Sequence, residues 1–412
     1  MRAASKLTST TSDDSRQVNL SQALVEILER VLGRGQFPLH EPRFQGNEQA
    51  YVQDCIASTF VSSVGAYVGR FEEMLAEIAG CQRAVATVNG TTALQLCLQV
   101  AGVQRGDEVL MPALSFVATA NAAHYLGAIP HFLDNEETTL GIDVVAARDW
   151  LTRNSERSHG HLRNKSTGRR ISAIVPMHTF GHPSDMDGLI ALAYDFNLVL
   201  VEDAAESLGS FYRGRHTGTM GRLGAVSFNG NKIVTCGGGG ALLTNDIVLA
   251  DHAKHLSTTA KTPHAWAYVH DEVGYNFRMP NLNAALGCAQ LEQLTTFVES
   301  KNKLTAAYAS TVEKQFESLK EESADFPVRL LQAPSENRCN YWLQTILLHP
   351  RVEQQRDEIL AATNAAGYAT RPAWNLLHTL APYASAPRAP LPNAESLWRR
   401  IINLPSSAGL VQ

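Results

Sequence analysis

Residues 84–100 read AVATVNGTTALQLCLQV, and the order of patterns within them decides the fold. AVATV is a short apolar run of strand type, Asn89-Gly90-Thr91-Thr92 is a turn, and residues 93–100 have helical spacing. The same succession recurs along the chain. EVLMP (108–112) leads to a predicted helix over 118–125 and then to IPHFLD (129–134), while ISAIVPMH (171–178) and LVLVED (198–203) flank a predicted helix over 186–196. Alternation of this kind predicts an α/β fold, a mostly parallel sheet with helices on both faces. GAVSF (224–228) and GGALLTN (239–245) read as a hairpin-like pair with Lys232 between them.

Around this centre the chain divides into three parts. Residues 1–36 are a polar tail and an N-terminal helix, with Leu24, Ile27, Leu28, Val31 and Leu32 at helical spacing and Ser21 as the candidate cap. Residues 37–298 form the large domain, closing on one amphipathic helix over 282–297. Residues 299–412 form a smaller C-terminal α+β domain, with helices over 301–319 and 354–366 and strands near 340–347. The polar, basic stretch NSERSHGHLRNKSTGRR (154–170) is expected to be a solvated surface insertion.

Composition excludes several function classes. The 412 residues are 44% hydrophobic and 18% charged, enough for a sizeable core, and the net charge of -5 offers no basic field to nucleic acid or anionic lipid. Six cysteines without CxxC spacing argue against a zinc ribbon or a disulfide framework and fit a reducing compartment. The N-terminus lacks the apolar core of a signal peptide, and no run of about 18 apolar residues occurs. A cytoplasmic protein without membrane or nucleic-acid partners is expected.

Three loops follow predicted strands and gather where open α/β sheets bind ligands. In the first, Gly90 permits close backbone approach, and Thr91 and Thr92 add hydroxyls to a helix N-terminus, which suits an anion. By itself this is also a simple helix cap. In the second, Asp203 and Glu206 follow the strand LVLV, and a carboxylate there suits ribose, magnesium or a protonated ring nitrogen. The third is Ser227-Phe228-Asn229-Gly230-Asn231-Lys232-Ile233-Val234-Thr235-Cys236, followed by four glycines. Burial of Lys232 among small and apolar neighbours favours the neutral amine that attacks an aldehyde. Ser227 could bond a phosphate. The glycine run lacks GxGxxG spacing and precedes a strand, so it is no dinucleotide fingerprint, and there is no GxxxxGK[ST] loop. The pairs His178/His182 and His252/His255 have no evident third ligand, and no metal is expected.

Taken together, the loops give the chain a resemblance to the pyridoxal 5'-phosphate (PLP)-dependent nucleotide-sugar aminotransferases of the DegT/DnrJ/StrS type. STFVSSVGAYVGRFE, VNGTTAL, RGDEVLMPALSFVATANA, PMHTFGHPSDMD, VEDAAESLGS, SFNGNKIVTCGGGGA and GYNFRMPNLNAALGCAQLEQL carry it in order, over about residues 37–407. The resemblance implies a fold-type I PLP aminotransferase and a homodimer with shared active sites. It implies Lys232 as the lysine that holds PLP as a Schiff base and shuttles protons, and Asp203 as the partner of the pyridine nitrogen. Phe116 is implied to stack on the ring, Thr91, Thr92 and Ser227 to cradle the phosphate, and Asn276 to reach that phosphate from the partner subunit. Glu206 stands where many members carry Gln or His near the cofactor hydroxyl. The amino donor implied is L-glutamate. LHEPRFQGNE, FVSSVGAYV and HDEVGYNFRMPNLNAALG resemble the branch that aminates C4 of UDP-2-acetamido-4-keto-2,6-dideoxyhexose in bacillosamine and legionaminic acid pathways. The rival is the perosamine branch, acting on GDP-4-keto-6-deoxymannose. PLP sugar dehydratases carry histidine at the lysine position, and non-catalytic regulators would be expected to lose Lys232 or Asp203. Segments 258–264, 340–342 and 371–378 are candidates for touching the sugar.

Overall fold

The computed structural model describes residues 19–317 and 326–411. Its main sheet has seven strands: β1 (Arg83–Thr87), β2 (Glu108–Pro112), β3 (Ile129–Leu133), β4 (Ile171–Ile174), β5 (Val199–Asp203), β6 (Leu223–Ser227) and β7 (Gly240–Thr244). They lie in the order β1-β7-β6-β5-β4-β2-β3. Only β7 runs antiparallel to its neighbours, β1 and β6; the remaining pairings are parallel. Side chains alternate between two apolar layers, as the pleat requires. Val109 and Met111 enter one and Leu110 the other; Leu242 enters the first and Ala241 and Leu243 a third cluster behind it. Helices on both faces complete the predicted α/β arrangement, and the pair 224–228/239–245 is indeed a hairpin, with Ser227 opposite Gly240.

A four-stranded sheet (Val328–Leu330, Gln344–Leu348, Ile401–Leu404, Arg371–Pro372) forms a second layer. The N-terminal helix Leu20–Leu32 packs into it, its Leu24, Ile27 and Leu28 meeting Leu304, Tyr308 and Ile346. Its cap is Asn19, whose Oδ1 accepts the Gln22 N–H at 3.0 Å, and not Ser21, which is buried within the first turn. The single helix expected over 282–297 is two, Asn281–Leu291 and Leu294–Phe316. At the break Glu292 is held by Tyr51, Asn47 and Arg70, and Gln293 donates to Glu48. The division predicted at residue 298 falls inside the continuous helix Leu294–Phe316. The tail over residues 1–18 and the last residues of the helix predicted to 319 lie outside the described residues.

Residues 154–170 are more than a solvated insertion. Ser155–Ser158 and His161–Asn164 pair as a hairpin, and Asn164 and Thr167 donate to the buried Glu108 carboxylate, which His131 Nδ1 also meets at 2.8 Å. These bonds hold the Glu108 carboxyl below its usual range against burial, which pushes the other way. No helix among the described residues is long and apolar enough to cross a membrane.

Gly224 in β6 has no room for a side chain, because a Cβ would lie 2.1 Å from the Gly218 carbonyl oxygen. Gly224→Ala must therefore shift β6, and we expect it to cost about 1–3 kcal/mol, read as a lower thermal midpoint.

Candidate active site

A cavity of ≈260 Å³ opens at the carboxyl ends of β1, β5 and β6. Its floor is set by backbone contacts that only glycine allows. A Cβ on Gly90 would lie 2.7 Å from Ser227 Cβ, and one on Gly240 would lie 2.4 Å from the Asn89 carbonyl. The start of helix Gly90–Val100 is thereby pressed against Ser227. Asn89 Oδ1 accepts the Thr92 N–H, and the Thr92 hydroxyl donates to the Asn89 carbonyl, both at 2.9 Å. Asn89 thus caps the helix, with the Thr92 N–H and hydroxyl both turned to it, and Thr91 lines the cavity. The first N–H groups of the helix, with the Thr91 and Ser227 hydroxyls, make an anion cradle.

Strand alternation sorts the two carboxylates at the end of β5. Glu202 turns away, bonding His178 Nε2 at 3.0 Å and the N–H groups of Gly218, Met220 and Gly221. Asp203 faces the cavity, 4% exposed, and accepts from the Thr119 hydroxyl at 2.6 Å and the Ala205 N–H at 3.2 Å. Burial raises its carboxyl above the usual range, with the Thr119 bond the main opposing influence.

Lys232 sits in the loop between β6 and β7. Phe228, Ile233, Val234 and Cys236 bury themselves in the apolar cluster behind that loop, which leaves the lysine on the cavity side. Its Nζ lies 3.1 Å from Glu206 Oε1 and 3.9 Å from the centroid of the Trp342 ring. Glu206 is buried, its Oε2 accepts the Phe180 N–H at 2.9 Å, and burial pushes its carboxyl up to about 7 despite Lys232. Trp342 is pinned from three sides. Its indole N–H donates to the Asn231 carbonyl at 2.7 Å, its backbone N–H to Asn340 Oδ1 at 2.8 Å, and its carbonyl accepts from Lys301 at 3.2 Å. Trp374 completes the wall against Phe116 and Phe180. Phe116 is 44% exposed, its ring at the cavity and its N–H on Met177 Sδ at 3.4 Å.

Of the residues expected from sequence, the structure brings Thr91, Phe116, Asp203, Glu206, Ser227 and Lys232 to one cavity. Asn276 lies apart, exposed, accepting from Arg278 Nε at 2.9 Å; segment 258–264 does not line the cavity either. Sequence reasoning gave no role to Thr119, Met177 and Asn231, whereas Asn340 falls inside a segment singled out for the sugar and instead bonds the Glu206 and Leu208 carbonyls. Trp342 and Trp374 fall inside segments singled out for the sugar.

Amine, buried carboxylate, aromatic face and anion cradle together are the donor set that PLP requires. Residues 42–412 match the DegT/DnrJ/EryC1/StrS aminotransferase family. The chain belongs to this family. It is 34% identical over 371 residues to GDP-perosamine synthase of Caulobacter vibrioides, covering 90% of this chain and 93% of that one. It is also 34% identical over 341 residues to EpsN of Bacillus subtilis, a protein named as a pyridoxal phosphate-dependent aminotransferase, covering 83% and 82%. The crystal structure of a DegT DnrJ EryC1 StrS aminotransferase from Brucella abortus superposes with a TM-score of 0.76 at 28% identity, covering 87% of this chain and 90% of that one. The fold is that of fold-type I PLP enzymes, and the chain is a PLP-dependent sugar aminotransferase.

Thr119→Val removes the strongest donor to Asp203 and leaves a buried oxygen unanswered. We expect about 1–3 kcal/mol of lost stability at neutral pH. Because the Asp203 carboxyl is raised in the folded protein, and further raised in the variant, the deficit should fade as pH drops through its folded range and the group protonates. Thermal melts of the cofactor-free proteins across pH check this.

Proposed function

We propose that this enzyme moves the amino group of L-glutamate to C4 of a GDP-linked 4-keto-6-deoxyhexose in two half-reactions at one site. The observation that carries the chemistry is the Lys232 amine standing in the same cavity as the buried Asp203 carboxylate. The support for the nucleotide is the name GDP-perosamine synthase shared by several relatives.

In this reading Lys232 binds PLP covalently and, when free, takes up and returns a proton at Nζ on one face of the site. Bound PLP supplies an electron-withdrawing ring that acidifies the C–H bond beside the substrate nitrogen. The buried Asp203 carboxylate would hold the ring nitrogen in its protonated form. Thr91, Ser227 and the helix N-terminus hold the phosphate, with Thr92 keeping that helix end in shape. Phe116 would pack against the ring, and Glu206 lies beside Lys232. Asn276, exposed in one subunit, reaches the phosphate of its partner in a homodimer. Trp342 and Trp374 bound the side from which the sugar enters and exclude water there.

The protein should be yellow, glutamate should bleach it, and borohydride should fix the cofactor on Lys232. Lys232→Ala should abolish the fixation and lower turnover by at least about 10²–10⁴-fold, the usual worth of a positioned proton carrier. A coupled assay offering GDP-4-keto-6-deoxymannose and UDP-2-acetamido-4-keto-2,6-dideoxyhexose with glutamate should consume the GDP sugar. Consumption of the UDP sugar alone would restore the branch first suggested by the sequence. Silence toward both, with bleaching intact, would defeat the nucleotide-sugar assignment and leave the aminotransferase chemistry standing.

A further inference from the structure

Glu206 is the acid in contact with the Lys232 amine, and its two oxygens have separate tasks. Oε2 accepts the Phe180 N–H, and Oε1 faces Lys232 Nζ at 3.1 Å. That arrangement serves two proton positions without any atom moving. An ammonium on Lys232 donates to a carboxylate Oε1, or a protonated Oε1 donates to the lone pair of a neutral amine. In both, Oε2 keeps the Phe180 N–H. The Lys232 and Glu206 side chains are 11% and 1% exposed, and the Trp342 ring covers Nζ from another side. Water is therefore a poor alternative partner for the proton.

We propose that Glu206 is the proton store of Lys232, receiving the ammonium proton whenever the lysine is released and returning it when the lysine is recaptured. The step is Lys232–NH3⁺ with Glu206–COO⁻ giving Lys232–NH2 with Glu206–COOH; one N–H bond breaks, one O–H bond forms, and charge is conserved. The released lysine is then a neutral base able to take the substrate proton. Without the store it would be freed as an ammonium in a closed site, unable to act until solvent entered. The inference rests on the role of Lys232 above and not on the identity of the sugar.

The electrostatics around the pair agree with this. Desolvation disfavours the carboxylate, and the nearby Asp203 carboxyl disfavours it further, while Lys232 alone among the neighbouring charges favours it. His40, close to Lys232, is kept neutral by burial and by Lys301 and Lys232 themselves. With the Glu206 carboxyl pushed up to about 7, the carboxylate that can accept a proton prevails above that pH and is lost below it.

Glu206→Gln isolates the idea, since its amide can donate to the amine and accept from Phe180 yet cannot receive a proton. Conversion of the yellow enzyme by saturating glutamate is followed in single turnovers across pH. The wild type should slow as pH falls through about 7. Glu206→Gln should still bind PLP, lose that limb, run about 10- to 100-fold slower on the plateau, and show a larger isotope effect with α-deuterated glutamate. Glu206→Asp should regain the limb. A Glu206→Gln enzyme with the limb intact, or with the wild-type plateau, would overturn the proposal. Infrared difference spectra of wild-type protein give a readout independent of rate. Above pH 7, glutamate conversion, which frees Lys232, should add a protonated-carboxyl band that Glu206→Gln lacks, and absence of that band in the wild type would equally overturn it. Failure of borohydride to fix PLP on Lys232 would bring down the underlying reading, and this one with it.

Discussion

The site depends on close approach at two glycines. Gly240 lies against the Asn89–Gly90 peptide and Gly90 against Ser227. This contact sets β7 beside β1, fixes the start of helix Gly90–Val100, and places the lysine loop over that helix end. The antiparallel insertion of β7 into a parallel sheet is what makes the contact possible. A wholly parallel sheet would carry its next strand across by a helix and would not return the chain to the same edge within twelve residues or so.

Several carboxylates are buried in and around the main sheet, where each needs an answering partner. Each carboxylate is answered differently. Glu202 and Glu108 are saturated by N–H groups, amides and histidine, and both stay on the acidic side of the usual carboxyl range. Asp203 and Glu206 receive fewer donors and are both raised. The saturated pair holds architecture together; the undersupplied pair is left with capacity for a cation or a proton, which is what chemistry needs.

Much of this was legible because it is local. The alternation of apolar runs and turns located the strands, and the glycine-flanked Lys232 and the strand-end Asp203 stood out in their own segments. Three things were not legible. Thr119 and Met177 look like ordinary helix and strand-end residues, and matter only through partners far along the chain. The break at residues 292–293 comes from Asn47, Glu48, Tyr51 and Arg70, more than two hundred positions away, so periodicity alone ran the helix straight through. Thr91 and Thr92 are alike in sequence; only hydrogen-bond geometry separates the hydroxyl turned back to the Asn89 cap from the one that faces the cavity.

The packing of helix Leu20–Leu32 against the C-terminal sheet has a consequence for biosynthesis. Helix Leu20–Leu32 buries its apolar face against Leu304, Tyr308, Ile346 and Ile402, which are synthesised hundreds of residues after it. At about 5–20 residues per second, that face waits on the order of a quarter of a minute to a minute or more for its partners. Over the same interval the lysine loop already exists while Trp342 and Trp374 do not. The nascent chain thus passes through a period in which an amphipathic helix is unpaired and the catalytic lysine uncovered, until the residues that cover each have been made.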